Sequence, residues 1–170
     1  DLYLLARQRM YERTELKLQS AADLLDRAIA ADPQYAPAYA QRGIAALLLS
    51  ETSYGSIPQA VAQKQAKRYL DKALELNADL AEAWAGMGLY YNGPPRQSEK
   101  GLFALEKALA INPNLIDAGN WLVLLYWFTN QPGKSMALLD DLTTRDPLYK
   151  PAFGNRVYQL NMQRRQGEAR

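Results

Sequence analysis

Neither cysteine nor histidine occurs in the 170 residues of this chain. Without them there is no thiolate nucleophile, no disulfide, no imidazole base and none of the usual zinc ligands, which excludes most hydrolytic and redox chemistry. The missing cysteine leaves the compartment open, because a disulfide-free protein suits cytosol and periplasm alike. Charge of one sign is not in excess either: 20 Lys and Arg stand against 18 Asp and Glu, a net charge of +2. No whole-molecule field follows that would draw nucleic acid or acidic lipid. Long apolar runs are absent too. The longest, WLVLLYWF from Trp121 to Phe128, falls far short of the roughly 20 residues that span a bilayer, so a soluble protein without a membrane span is expected. The Gly-Pro-Pro run at 93–95 is a loop breaker and not a phosphate loop, since no Gly-Lys-Ser/Thr follows it. The chain opens at Asp1 with neither an initiator Met nor a signal segment, which predicts a piece of something larger.

What is present is an ordinary globular composition, 48% hydrophobic and 22% charged, written as a repeat. Helix-stop phrases recur as AIAADPQYAPAY, ALELNADLAEAW, ALAINPNLIDAG and LTTRDPLYKPAF, punctuated by Pro33, Ala78, Pro113 and Pro147. The last interval is 34 residues, the one before it 35, and the first 45, which is one period plus an insertion of 11. With the terminal Pro placed at position thirty-two of a thirty-four-residue unit, the twentieth position holds Ala21, Ala66, Gly101 and Ser135, all small. The twenty-fourth holds Leu25, Leu70, Leu105 and Leu139 without exception. The twenty-seventh holds Ala28, Ala73, Ala108 and then Leu142; the fourth holds Tyr39, Trp84 and then Gly119; the eighth holds Gly43, Gly88 and then Val123. Small residues let two helices approach while the Leu fills the space between them, so each unit predicts an antiparallel helix pair burying one stripe.

Period, small positions, Leu position and Pro stops together resemble the tetratricopeptide repeat (TPR) family over nearly the whole chain. The resemblance implies an all-α fold: a right-handed superhelical array of antiparallel helix pairs, with repeats at about 1–33, 36–78, 81–113 and 115–147, a terminal helix at 150–163 and a basic tail at 164–170. The first pair is expected to be joined by a long polar loop, TELKLQ. Pro37 and Pro151 fit the first turn of a helix, where a missing N–H is harmless. The lone last helix reads as a cap or as the start of a fifth repeat.

The family's groove positions place Gln41, Ile44, Leu89, Asn92, Asn120, Trp121, Leu124, Trp127, Phe128, Asn155 and Tyr158 on a concave, partner-binding face. Trp121, Trp127, Phe128 and Tyr158 suit an apolar anchor of a peptide, with Asn120 and Asn155 bonding its backbone; the other reading of the same aromatics is burial against the terminal helix. Groove positions that carry Lys, Arg and Asn in chaperone-binding relatives carry Ala, Ile, Leu and Gly here, so binding of chaperone C-termini is not expected. Lys64, Lys67, Arg68 and Lys72 share a helix with Asp71 and Glu75 and read as a solvated face, with no nucleic acid bound by this region. The pairs Asp140 with Asp141 and Glu82 with Asp117 lack a partner base, so neither enzymatic activity nor a cofactor nor a metal is expected.

A narrower resemblance is to the TPR region of bacterial multidomain regulators, carried by DLYLLARQRMYERTE with its long loop, by the insertion after the third helix, and by the stretch from Asp117 to Ala152. That family sets the region after a winged-helix DNA-binding domain, sometimes across a membrane segment, or beside a nucleotide cyclase. It implies signalling or transcription regulation within a larger bacterial protein. The readings are then a non-catalytic module binding a peptide or helix of a protein partner, or a small-ligand-sensing or dimerisation domain of a membrane-linked regulator. Self-association through an end of the array is compatible with both.

Overall fold

The computed structural model describes the backbone of residues 1–93 and 96–168 and the side chains of residues 1–93 and 96–161. Among the described residues there are nine helices and no strand: α1 (Leu2–Tyr11), α2 (Glu15–Ala31), α3 (Ala36–Leu48), α4 (Gln59–Leu76), α5 (Ala81–Asn92), α6 (Ser98–Ile111), α7 (Ile116–Phe128), α8 (Pro132–Arg145) and α9 (Lys150–Glu168). They pair as α1 with α2, α3 with α4, α5 with α6 and α7 with α8. The pairing is antiparallel: Tyr39 and Ala40 near the start of α3 pack by Ala73 late in α4, whereas Gly43 further along α3 lies against Leu70 and Ala66.

The repeat positions explain the contact. Ala21, Ala66, Gly101 and Ser135 are all buried, and Leu25, Leu70, Leu105 and Leu139 are fully buried beside them. A Cβ on Gly88 would collide with Leu105, and one on Gly43 would lie 2.8 Å from Leu70 Cγ; glycine is required there by close approach. One apolar core runs from Tyr3 through Leu125, and a smaller one joins Val123, Leu139, Leu142, Tyr149 and Ala152 at the fourth pair.

Each seam between pairs is closed by the residue before the punctuation position. Asp32, Asn77, Asn112 and Asp146 each accept, on a side-chain oxygen, the backbone N–H two residues on, at 2.9 to 3.0 Å. This Asx turn ends one helix and aims the next. At the first two seams the carbonyl after the turn residue is then capped from the next helix: the Tyr39 hydroxyl donates to Pro33 O at 3.3 Å and Trp84 Nε1 to Ala78 O at 2.8 Å. The fourth repeat has no aromatic at that position, only Gly119, and Arg145 Nη1 takes over, donating to Pro113 O at 2.8 Å.

The Cα traces of the first helices α3, α5, α7 and α9 come within 8 Å of one another in succession, whereas those of the second helices α2, α4, α6 and α8 do not; α2 meets α4 only through side chains such as Tyr69, whose hydroxyl donates to Asp26 Oδ1 at 3.2 Å. Close stacking on one side and spreading on the other curves the array, and the first helices line its inner face.

Two expectations need correction. The sequence TELKLQ is not a long loop, since α2 already begins at Glu15. Glu, Leu, Lys and Gln are strong helix formers and Leu18 is fully buried, so packing extends the helix backwards and leaves only Glu12 to Thr14 as the break. The long first loop used in the narrower resemblance is therefore missing. At the other end α9 continues to Glu168, past the 163 expected; the side chains of the basic tail lie outside the described residues.

Candidate functional site

The inner face of the array holds two adjoining cavities. The smaller, about 230 Å³, is lined by Gln41, Ile44 and Trp121 of the expected groove set, together with Arg7, Met10, Tyr11, Glu82, Ala85, Asp117, Asp146 and Tyr149. The larger, about 530 Å³, is lined by Leu89, Asn92, Asn120, Trp121, Leu124 and Asn155 of that set, with Arg13, Leu48, Glu51, Tyr54, Tyr149 and Lys150 among the others. Eight of the eleven expected groove residues thus share one concave surface. Trp127, Phe128 and Tyr158 line neither cavity. Phe128 is 42% exposed beneath the Arg96 guanidinium, 3.8 Å from the ring centroid, and Tyr158 is 42% exposed on α9. Trp121 is buried with only 4% exposed, so its ring belongs to the core and forms a wall common to both cavities.

The three asparagines of the larger cavity stand on successive first helices, Asn92 on α5, Asn120 on α7 and Asn155 on α9. Asn155 Nδ2 donates to Asn120 Oδ1 at 2.8 Å, which fixes the amide of Asn120 toward α9. Asn92 Oδ1 is buried and has no partner among the described residues. Such an orphan acceptor costs free energy unless something outside the chain supplies a donor.

The boundary between the two cavities is a bridge. Asp117, in the first turn of α7, accepts from Arg13 Nη2 and from the Tyr149 hydroxyl. The Tyr11 hydroxyl donates to Asp146 Oδ2 at 3.2 Å, and the Tyr11 and Tyr149 rings lie 6.5 Å apart. Among the described residues no Cα of α1 comes within 8 Å of α7, α8 or α9; the long side chains of Tyr11 and Arg13 reach across from the first repeat to the fourth. Arg13 stands in the left-handed backbone region at φ 50, a conformation that costs a residue with a Cβ about 1–2 kcal/mol. It ends α1 there and turns its side chain inward, over the Tyr54 ring at 5.9 Å.

The electrostatics follow from burial. Burial lowers the proton affinity of the Arg13 guanidinium, but Asp117, with Tyr149, Tyr54 and Glu51, more than offsets it, so Arg13 stays a cation. Burial pushes the Tyr149 phenol well above its usual range and the Asp117 charge adds to this, which keeps it a hydrogen-bond donor. Glu51 is raised by burial, with Arg13 pulling back and Asp117 reinforcing the rise.

Sequence reasoning missed the first-repeat wall and the insertion. Arg7, Met10 and Arg13 fall on groove positions of the first repeat, which the same count would have reached, whereas Tyr11 falls between them. Glu51 and Tyr54 come from the eleven-residue insertion, which turns back on α3, with Ile57 N donating to Leu49 O at 3.0 Å; no repeat position exists for them. Among the described residues no cluster of acidic side chains suits a metal ion, and no helix is long and apolar enough to cross a membrane.

Solved structures share this architecture. A thermophilic TPR protein of Thermus thermophilus superposes with a TM-score of 0.69 at 21% identity, over 94% of this chain and 78% of that one. YrrB, described as a TPR protein with an unusual peptide-binding site, matches with a TM-score of 0.50 at 18% identity, over 91% of this chain and 90% of that one. A mutant of the O-GlcNAc transferase of Thermobaculum terrenum matches with a TM-score of 0.59 at 19% identity, over 86% of this chain but only 26% of the transferase. No protein-family model and no curated protein matches the sequence. At such identities the likeness shows the fold, and the fold is the tetratricopeptide repeat array.

Proposed function

We propose that the protein is a non-catalytic interaction module that holds a peptide or helix of a protein partner against its concave face, within a larger bacterial regulatory protein. One observation carries this reading: the inner face alternates amide and apolar side chains, Asn92, Asn120 and Asn155 beside Leu89 and Leu124, with the Asn92 acceptor left unpaired. Amides suit a peptide backbone and the apolar groups suit its side chains. The description of YrrB as a TPR protein with a peptide-binding site supports a peptide as the ligand. Self-association belongs to the proposal as well, because Phe153, Val157 and Leu160 stand 46%, 60% and 51% exposed on α9. Sedimentation velocity of wild type and Val157→Glu at several concentrations checks it; identical profiles at every concentration remove it.

The principal test is to select peptides from a random displayed library on the intact chain and measure them against Leu124→Glu and Phe128→Ala. Leu124 lines the cleft and is half-buried, so the charge is expected to weaken selected peptides at least tenfold while helicity and melting are retained; Phe128→Ala is expected to leave them unchanged. Peptides that bind both variants equally well would take the binding face elsewhere.

A second reading has a specific observation behind it. The bridge of Arg13, Asp117 and Tyr149 narrows the groove into compartments, and a compartment of about 230 Å³ suits a small ligand of a sensing domain. A metabolite screen by melting shift, with the same screen on Ala85→Leu to fill the small compartment, separates the two readings.

A further inference from the structure

The guanidinium of Arg13 is only half used. Its side chain is 9% exposed, and its Nη2 donates to Asp117 while its Nε, on the same edge, is buried with no partner among the described residues. The Nε and Nη2 edge of an arginine matches both oxygens of a carboxylate, and the two-bonded pair is the stronger and more selective arrangement. Asp117 reaches Nη2 from the opposite wall of the groove and leaves Nε unpaired. Its own side chain is 44% exposed, so it has room to turn toward solvent. The Tyr149 hydroxyl, 4% exposed as a residue and held as a donor, remains beside the position that Asp117 would vacate. Lys150 stands at the rim of the same larger cavity.

We infer that Arg13 is a receptor for a carboxylate of the bound partner segment, with Asp117 as the resident stand-in that the incoming group displaces. The inference rests on the groove reading above and narrows it to an acidic partner. Entry from the larger cavity would give the ligand both Nε and Nη2 of Arg13 and leave the Tyr149 hydroxyl to bond either carboxylate. Glu51 faces Arg13 from the insertion without hydrogen-bonding to it; it opposes a second negative charge and so limits affinity in the resting protein. The site differs from the groove positions that read as Ala, Ile, Leu and Gly, because Arg13 stands at a groove position of the first repeat, in the break between α1 and α2.

The side-chain N–H of Arg13 is observable by nitrogen-proton correlation NMR on the intact chain. Three probes are titrated at constant ionic strength: acetyl-Ala-Ala-Asp-Ala-Ala-amide, its Asn counterpart, and acetyl-penta-alanine with a free C-terminus. The expected result is a saturable downfield movement of the Arg13 Nε–H with either carboxylate probe, and with neither the Asn peptide nor sodium chloride. Whichever of the two carboxylate probes binds tighter identifies the source as side chain or chain terminus. Asp117→Asn, which frees the edge, is expected to tighten both by about tenfold, the scale of one added charged hydrogen bond. Arg13→Gln is expected to abolish the preference for carboxylate, and Arg13→Lys, which keeps the charge without the fork, to lose most of it. An Nε–H that stays still with every probe in both wild type and Asp117→Asn overturns the inference. If the Asn92 and Asn155 amides still move with the Asn peptide, the groove reading survives that failure; if no resonance lining either cavity moves with any probe, both fall.

Discussion

Gly119 and Leu142 show how a repeat keeps its packing when its consensus changes. In the second repeat a large residue, Tyr39, sits by a small one, Ala73; in the fourth the sizes are exchanged, and a Cβ on Gly119 would lie 2.8 Å from Leu142 Cδ2. The exchange conserves volume across the pair. Leu142→Ala alone is expected to cost about 2–5 kcal/mol by opening a cavity, and Gly119→Trp alone to be destabilising by overpacking. The double variant, which restores the pattern of the earlier repeats, should cost clearly less than the sum, and urea unfolding of the four proteins reads the coupling. Glycine elsewhere separates close approach from open space. Gly88→Ala meets Leu105 and should lower the melting temperature, whereas Gly154→Ala, exposed within α9 and with nothing within 4 Å of its Cβ, should be neutral or stabilise by up to about 1 kcal/mol. Equal melting shifts for the two would contradict this account of the helix contacts.

At the scale of elements, the Asx turns and the insertion carry the argument. Asn112→Ala removes the acceptor that holds the N–H of Asn114 at 3.0 Å and is expected to cost about 1 kcal/mol, measured by thermal unfolding; Asn114→Ala, which keeps that backbone donor, serves as the control. The insertion brings Glu51 beside Arg13, and its raised proton affinity has a definite consequence for pH. Between the ordinary Glu value of about 4.3 and its raised value, the folded protein keeps a proton that the unfolded chain has lost, so this residue's contribution to stability falls as pH rises through that window. Glu51→Gln is therefore expected to melt above wild type at pH 7, with the gain shrinking as pH is lowered to 4. A gain that is constant across that range would mean the carboxylate is not held up by burial. The first break teaches the opposite lesson: TELKLQ looks polar along the chain, yet its Leu18 is fully buried, and burial decides where α2 starts.

Over the whole molecule, stability is carried by contacts between neighbours in sequence, with the side-chain bridges from Arg13 to Asp117 and from Tyr11 to Asp146 as the long closures. Hydrogen exchange should accordingly be slowest in α3 to α6, which pack on both sides, and fastest in α9, whose buried described residues are few; an α9 as protected as α5 would mean that something else covers it. The architecture was legible in the residues because helix pairing is a local matter. A period of 34 residues, small side chains at the approach points and an invariant Leu reappear wherever two neighbouring helices must touch, and each is visible within one repeat. The stacking of first helices, and with it the shared surface of Asn92, Asn120, Leu124 and Asn155, follows from the same arithmetic. What the arithmetic could not deliver is the depth of Trp121, the displacement of Trp127 and Phe128 from the cleft, and the meeting of Arg13 with Asp117 across 104 positions of sequence. Those depend on the summed curvature of the array and on an insertion that has no repeat position. Curvature accumulates from small rotations at every seam, and only the folded chain adds them up.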